Sequence, residues 1–334
     1  MEVNNIREAV EKFCTIIGSN PMLVQGAGGN ISWKDGDTLW VKASGMWMAD
    51  AEKKDIFVPV DLKNIKKEIA KSNYSVDIQT LALSELRPSI ETILHSLMPH
   101  KIVLHVHAVE TLAYLVTQNY SELLDSILKN TYNSAYVDYK KPGPDLAEAI
   151  SKILIDSPGV QIIFLQNHGV VIGGADIEEI IKILNFIEDT AKNHAIKDSN
   201  RLLKIIQGAT PKGYHSINDI EINNLVENNA YFLHTKFNWA LYPDHVVFLG
   251  GKSFCYNSLE EFLYSKDRPD LVFIKSVGVF SLNKLSFTQL AQLRCYYDVV
   301  SRLNAKYKIK TLNDNQIHEL LDWNLEKHRV KNSK

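Results

Sequence analysis

The sequence predicts an α/β protein: a three-layer α/β/α sandwich around a mixed, mostly antiparallel central sheet, with a smaller α/β extension towards the C-terminus. Three observations carry this expectation. Apolar strand-like runs at 101–107 and 160–165 stand among amphipathic helical segments. Their order lacks the steady βαβ rhythm of a doubly wound parallel sheet. An Asp35-Gly36 pair, a strong hairpin signal, joins two early strands at 30–34 and 38–42. The 334 residues suffice for two domains, or for one large domain with an appendage.

The elements follow in chain order. Segment 6–18 has helical apolar spacing and stops at Gly18. A glycine-rich turn, Gln25-Gly26-Ala27-Gly28-Gly29-Asn30, leads into the hairpin. Residues 61–71 and 89–98 read as helices, and 101–107 (KIVLHVH) as a strand. Helices at about 108–117 and 145–154 precede the strand 160–165, and a long helix covers roughly 176–195. Glycine, proline and polar residues cluster at 208–216, which divides a catalytic domain, 1–207, from an extension, 217–330. In the extension the pattern predicts a helix near 217–234, a strand at 245–249, strands at 271–275 and 277–282, and helices at 286–306 and 313–328, with a frayed end. Segments 162–191 and 271–302 share an order of strand, turn, strand and helix, with Val277 where the first has His168; the extension reads as a degenerate half-repeat.

Composition narrows the function. Hydrophobic residues make up 45% and charged residues 23%, ordinary for a chain that buries a core. A net charge of -2 argues against nucleic acid or an anionic membrane as principal partner, while leaving room for a local basic pocket. The first residues lack the apolar core of a signal peptide, and no run approaches the roughly 18 apolar residues of a membrane span. Cys14, Cys255 and Cys295 are far apart, without a CxxC pair, which fits packed thiols in a reducing compartment. A cytoplasmic protein is expected.

His105 and His107 lie two apart on a strand, so both side chains share one face of the sheet, where neutral imidazoles suit a metal. Taken alone, the pair reads equally well as half-buried polar residues near a strand end. His168 follows the apolar FLQN strand and precedes Gly169, at a strand-end turn of the kind that hosts active sites. Three histidines with an open position describe a catalytic site, since structural zinc has four closed ligands. His95, four residues after Glu91 on one helical face, could stand behind the metal ligands; a capped or surface position is the plainer reading. Glu91 opens a helix, where a carboxylate most often serves the helix dipole. The glycine turn is neither a Rossmann fingerprint nor a P-loop. With Asn30, Ser32, the Ala43-Ser44-Gly45 turn and Ser89 it could cradle an anion through backbone N–H groups; a plain tight turn explains each piece equally well.

Taken in order, the motifs GGNIS, ASG, RPSIETILH, HVHA and NHGVVIGG resemble the class II aldolase/adducin family over about residues 5–200. The likeness is strongest to the aldolase half of bifunctional rhamnulose-1-phosphate aldolase/short-chain dehydrogenase proteins, and the stretch from about 240 looks like their connecting segment. No Rossmann fingerprint follows, so a dehydrogenase half is not expected. The resemblance implies Zn2+, or another divalent metal such as Mn2+ or Co2+, held by His105, His107 and His168. It implies Glu91 as the catalytic acid/base, and a phosphate pocket at Gly29, Asn30, Ser44, Gly45 and Ser89. Many simple aldolases carry a second serine where this chain has Ile90, which puts one phosphate contact in doubt.

The implied activity is a metal-dependent aldolase acting on a ketose 1-phosphate, with dihydroxyacetone phosphate and an aldehyde as products and a zinc-stabilised enediolate between them. The implied assembly is a homotetramer with a neighbour's tyrosine in the site, for which Tyr132, Tyr136 and Tyr139 are candidates. Sugar-phosphate 4-epimerases of this family usually carry Asp at the position of Glu91. Dehydratases and decarboxylases keep the histidines. Adducin-like assembly proteins have lost metal ligands. The C-terminal third is expected to shape the pocket or an interface.

Overall fold

The computed structural model describes residues 3–82, 85–194 and 210–332. Its main sheet is built from β1 (Asn30–Asp35), β2 (Thr38–Lys42), β3 (Phe57–Asp61), β4 (Ile102–Val106), β5 (Ser134–Val137), β6 (Ile162–Leu165) and β7 (Gly169–Gly174). Their spatial order is β3-β2-β1-β4-β7-β6-β5. Only β5 and β6 run parallel; the other neighbours are antiparallel. The mixed, mostly antiparallel sheet expected from the sequence is therefore present. Gly36, at φ 56°, makes the two-residue turn between β1 and β2, closed by Asp35 opposite Thr38.

Strand alternation sorts the helices into layers. Leu104 and Val106 of β4, with Ile31, Phe164, Val170 and Ile172, pack against α1 (Val3–Gly18), α4 (Val109–Leu115), α5 (Tyr120–Leu128) and α7 (Ile177–His194). Val103, Ile163, Leu165 and Val171 point the other way, onto Leu94 and Met98 at α3 (Thr92–Leu97) and Leu146 and Ile150 of α6 (Pro144–Asp156). On the same sheet, Leu39, Val41, Val58 and Val60 meet Leu62 and Ile65 of α2 (Leu62–Ile69), whose N-cap Asp61 accepts from Asn64 N–H.

Beyond residue 209, α8 (Ile220–Glu227), α9 (Asn229–Phe237), α10 (Pro243–Leu249), α11 (Leu259–Ser265), α12 (Phe287–Val300), α13 (Asp314–Leu321) and α14 (Asn324–Asn332) surround a second sheet. That sheet holds β8 (His215–Ser216), β9 (Cys255–Tyr256), β10 (Leu271–Ile274) and β11 (Gly278–Ser281) in the order β8-β11-β10-β9. Leu225, Trp239, Leu241, Phe273, Leu293 and Tyr296 belong to the same buried cluster as Val10, Leu112 and Phe164. The two parts thus share a continuous core, with α12 packed on α4. No helix among the described residues is long and apolar enough to cross a membrane.

Several expectations needed correction. The strand expected at 245–249 is the helix α10: Pro243 occupies the first turn and Gly250 ends it at φ 89°, and these end signals override the β-branched run between them. The helix expected at 217–234 breaks at Asn228, whose side chain caps α9, and the one expected at 313–328 breaks between α13 and α14. Strands β3 and β5 were not foreseen. They are the two sheet edges, where Pro59 is tolerated in β3 and where a short, half-exposed segment such as β5 leaves little pattern. Residues 208 and 209 of the expected boundary lie outside the described residues.

Candidate metal centre

β4 lies at the middle of the sheet, between β1 and β7. His105 lies on the face it shares with Val103, and His107 stands one residue past the end of β4. His168 sits in the three-residue turn closing β6 onto β7, where Asn167 takes φ 53° and Leu165 pairs with Gly169. Gly169 is required by the crowding of this corner. A Cβ there would lie 2.5 Å from the Val106 carbonyl oxygen and 3.0–3.1 Å from the two β4 histidine rings.

The three imidazoles converge. One nitrogen from each lies within 4.8 Å of the others, and all three residues are buried. His105 Nε2 and His107 Nε2 are 3.1 Å apart, close to the ~3.3 Å that two nitrogens would show on one tetrahedral zinc ion. Two lone pairs would repel at that distance; a shared cation suits them. His105 Nδ1 lies 3.1 Å from the Val170 carbonyl oxygen, a geometry in which the ring N–H donates there and leaves Nε2 free to ligate. Burial pushes the His107 imidazole down to about 3 and that of His168 well below its ordinary value. Both rings are therefore neutral donors at physiological pH. These residues fit a divalent metal.

Glu91 is the N-cap residue of α3, and its side chain makes no capping hydrogen bond to the helix. Its Oε1 lies 3.5 Å from His168 Nε2 and 3.7 Å from His105 Nε2, buried and otherwise without a hydrogen-bond partner. The Ser89 hydroxyl accepts from Glu91 N–H and fixes the turn.

A small pocket opens beside this cluster, lined by Gly28, Gly29, Ser44, Gly45, Ser89, Ile90, Glu91, His107 and His168. Four of the five proposed phosphate residues thus share one wall with the histidines. Asn30 does not line it. It is buried opposite His105 in the β1–β4 register, with its carboxamide oxygen unpartnered. Gly29 and Gly45 adopt φ 65° and 79°. His95 is not a surface residue. It is fully buried behind the site, its Nδ1 2.8 Å from the Ser32 hydroxyl, and burial holds its imidazole far below the usual range.

Four residues of the site had no reading from sequence. Lys42 is buried at the end of β2 and donates to the carbonyls of Met46 (2.7 Å), Ala43 (3.3 Å) and Ala27 (3.4 Å), tying the two small-residue turns together. Burial brings its amine down to about 8. Asp244 of α10, Arg329 and Glu326 of α14 enter from the C-terminal third. Asp244 Oδ2 faces His107 Nδ1 at 3.4 Å; Arg329 pairs with Asp244 and, at 3.1 Å, with Glu326. Burial opposes ionisation of Asp244, yet Arg329 and His107 hold its carboxyl below the usual range. Burial raises Glu326 to about 7 against the pull of Arg329. An acid in a helix's first turn and an arginine near the chain end are commonplace in sequence, so only the fold could single them out.

The candidate tyrosines all have partners within the chain. Tyr132 packs on Phe186, Tyr136 stacks on Phe164 and hydrogen-bonds Asp125, and Tyr139 packs beside Val246 and Leu312 with its hydroxyl unpartnered.

This combination of a mixed sheet, a histidine pair at the end of its central strand and a histidine turn defines a class. Residues 10–195 match the model of the class II aldolase and adducin N-terminal domain, and the chain belongs to that family. Among curated relatives, an L-fuculose phosphate aldolase of Methanococcus maripaludis is 27% identical over 190 residues, 56% of this chain and 95% of its own. An uncharacterized oxidoreductase of Bacillus subtilis, YuxG, is 26% identical over 210 residues, 56% of this chain; the match spans only 30% of that relative's length. The N-terminal class II aldolase domain of a conserved protein from Thermoplasma acidophilum is 26% identical, with 58% of this chain and 95% of that one covered and a TM-score of 0.48.

Proposed function

We propose that this protein is a metal-dependent aldolase that cleaves or forms a ketose 1-phosphate, with dihydroxyacetone phosphate and an aldehyde as the other partners. The observation that carries the reading is Glu91 Oε1, buried and without a hydrogen-bond partner, 3.5 and 3.7 Å from two of three converging histidines. His105, His107 and His168 would hold the ion, Zn2+ by the nature of an all-imidazole donor set. A divalent ion there supplies Lewis acidity, stabilising negative charge that develops on a substrate carbonyl oxygen.

The chain's own residues do the rest. The turns at Gly28-Gly29 and Ser44-Gly45, with the Ser89 hydroxyl, offer donors to a phosphate, and Lys42 and Arg329 supply positive charge at the same wall. Ile90 adds no side-chain donor. As the C3–C4 bond of the ketose breaks, the C4 hydroxyl gives up its proton to become the aldehyde carbonyl, and Glu91 passes a proton to the C3 carbanion; in the synthetic direction its carboxylate removes the C3 proton and the new C4 alkoxide takes it up. In keeping with the family we propose a tetramer.

The test is a cleavage and condensation screen of the metal-loaded protein, followed by NMR, with dihydroxyacetone phosphate against a panel of aldehydes. Formation of a new ketose 1-phosphate is expected. Conversion of a ketose phosphate to its C4 epimer without release of aldehyde would replace the aldolase reading by an epimerase one. Metal binding without turnover of any phosphorylated substrate would overturn both.

A further inference from the structure

We propose that Asp244 of α10 is the positioning carboxylate for His107, so that the C-terminal third completes the metal centre rather than only flanking it. The inference rests on the metal-site reading above. It concerns a residue outside the 10–195 segment that matches the family model.

Each of the two β4 histidines directs Nε2 to the common point, so each needs something at Nδ1 to fix its ring and tautomer. For His105 that is the Val170 carbonyl, 3.1 Å away. For His107 it is Asp244 Oδ2 at 3.4 Å. His107 Nδ1 is buried and makes no hydrogen bond, and the Asp244 carboxylate facing it at 3.4 Å is the group placed to take the ring N–H and so make Nε2 a stronger donor. Asp244 is only 2% exposed. An ionised carboxylate at such a place must be held by partners. Arg329 pairs with its other oxygen, and Gln292 Nε2 donates to Oδ2 at 3.4 Å.

The glycine turn supplies an independent observation. A Cβ at Gly28 would stand 2.9 Å from Asp244 Oδ2 and 3.2 Å from His107 Nδ1. The turn thus leaves vacant the space in which these two groups face one another. A carboxylate whose work was merely to pair with Arg329 would not need that opening towards the histidine.

The experiment is a Co2+ titration of the full chain in competition with a chelator, read from the visible absorption of the bound ion. Asp244→Asn should weaken Co2+ binding by about 10–100-fold and shift the absorption bands, because a neutral partner makes His107 a poorer donor. Asp298→Asn, a change in a distant ion-pair group of α12, should leave affinity and bands as in the wild type. If Asp244→Asn does not fold, Gly28→Ala wedges the pair apart with the charge intact, and about tenfold weaker binding is expected. Wild-type affinity and bands in Asp244→Asn, or in Gly28→Ala where that stands in, would overturn the inference while the metal site stood. A folded wild-type chain that binds no Co2+ would overturn the metal reading and this inference with it.

Discussion

The hairpin β6–β7 and the hairpin β10–β11 have the same backbone design and different fates. Each closes over three residues, Leu165 pairing with Gly169 and Ile274 with Gly278, and each bends at a non-glycine residue of positive φ, Asn167 at 53° and Ser276 at 55°. Each leads on to a helix, α7 or α12. The next turn residue is His168 in the first and Val277 in the second. Their surroundings differ more than their turns. The first hairpin lies beside β4, which brings two more histidines, and Asn167 Nδ2 donates to the carbonyls of Leu241 and Lys310, locking the turn beneath the C-terminal third. The second adjoins only two-residue strands, with Ser276 exposed. A strand-end turn becomes a site when a neighbouring strand faces it with chemistry and packing fixes it; the turn alone does not suffice.

The sharpest way to break the comparison is His168→Val, which gives the first hairpin the residue of the second. Metal affinity should fall by about 100-fold or more, beyond the effect of losing an outer partner, with circular dichroism unchanged. Glu91→Gln should keep the metal and lower turnover by about 10²–10⁴-fold, the usual weight of a positioned acid or base. Retention of full turnover would remove Glu91 from the mechanism.

The histidines of the two regions sharpen the contrast. His234 and His245 do not share a ligating point; His245 packs on Trp239 and Tyr296, with ring centroids 4.2 and 4.6 Å away. Burial pushes His245 down to about 3 and His234 to about 4. The unfolded chain therefore binds more protons between those values and pH ~6.5, and stability should fall as pH drops through that window. Glu188 and Glu326, raised by burial to about 7, act in the opposite sense between ~4.5 and 7. In the metal-free chain His95, His107 and His168 are lowered by burial as well, so the histidines outnumber the two acids, and thermal unfolding followed from pH 7 to 4.5 should show a falling Tm, with the slope reduced but not reversed.

Smaller effects test the anchoring. Asn167→Ala leaves the Leu241 and Lys310 carbonyls without their shared donor and should cost about 1–3 kcal/mol in denaturant unfolding. Ser276→Gly, at the matching exposed turn, should stay within about 0.5 kcal/mol of wild type.

What could be read in the sequence follows from how local its cause is. The Asp35-Gly36 hairpin, the alternation that puts Leu104 and Val106 opposite His105, and the glycine after His168 are all nearest-neighbour effects. Of the edge strands, β5 is short and half-exposed and leaves little pattern, while β3 is buried but carries Pro59, which reads against a strand, so both escaped. At 245–249 the apolar run suggested a strand, and the proline and glycine bounding it decided otherwise. The metal triad was legible because two of its members lie two positions apart across the end of one strand, β4. Asp244 and Arg329 were not, because each gains its meaning from contacts across long stretches of chain, and Lys42, whose bonds to Ala27, Ala43 and Met46 are short-range, reads in sequence as an ordinary lysine at a strand end. Asp244 meets His107 from 137 positions away and Arg329 from 85. Glu91 sits between these cases: its helix-start position was readable, and its lack of a capping hydrogen bond was not.

A single divalent ion on His105, His107 and His168 can be seen by zinc-edge X-ray absorption of the purified, zinc-loaded protein. The account predicts a low-coordinate zinc with imidazole nitrogens at about 2.0–2.1 Å, reduced in number in His168→Val. A shell of sulfur, a shell of six oxygens, or a spectrum that His168→Val leaves unaltered would contradict it.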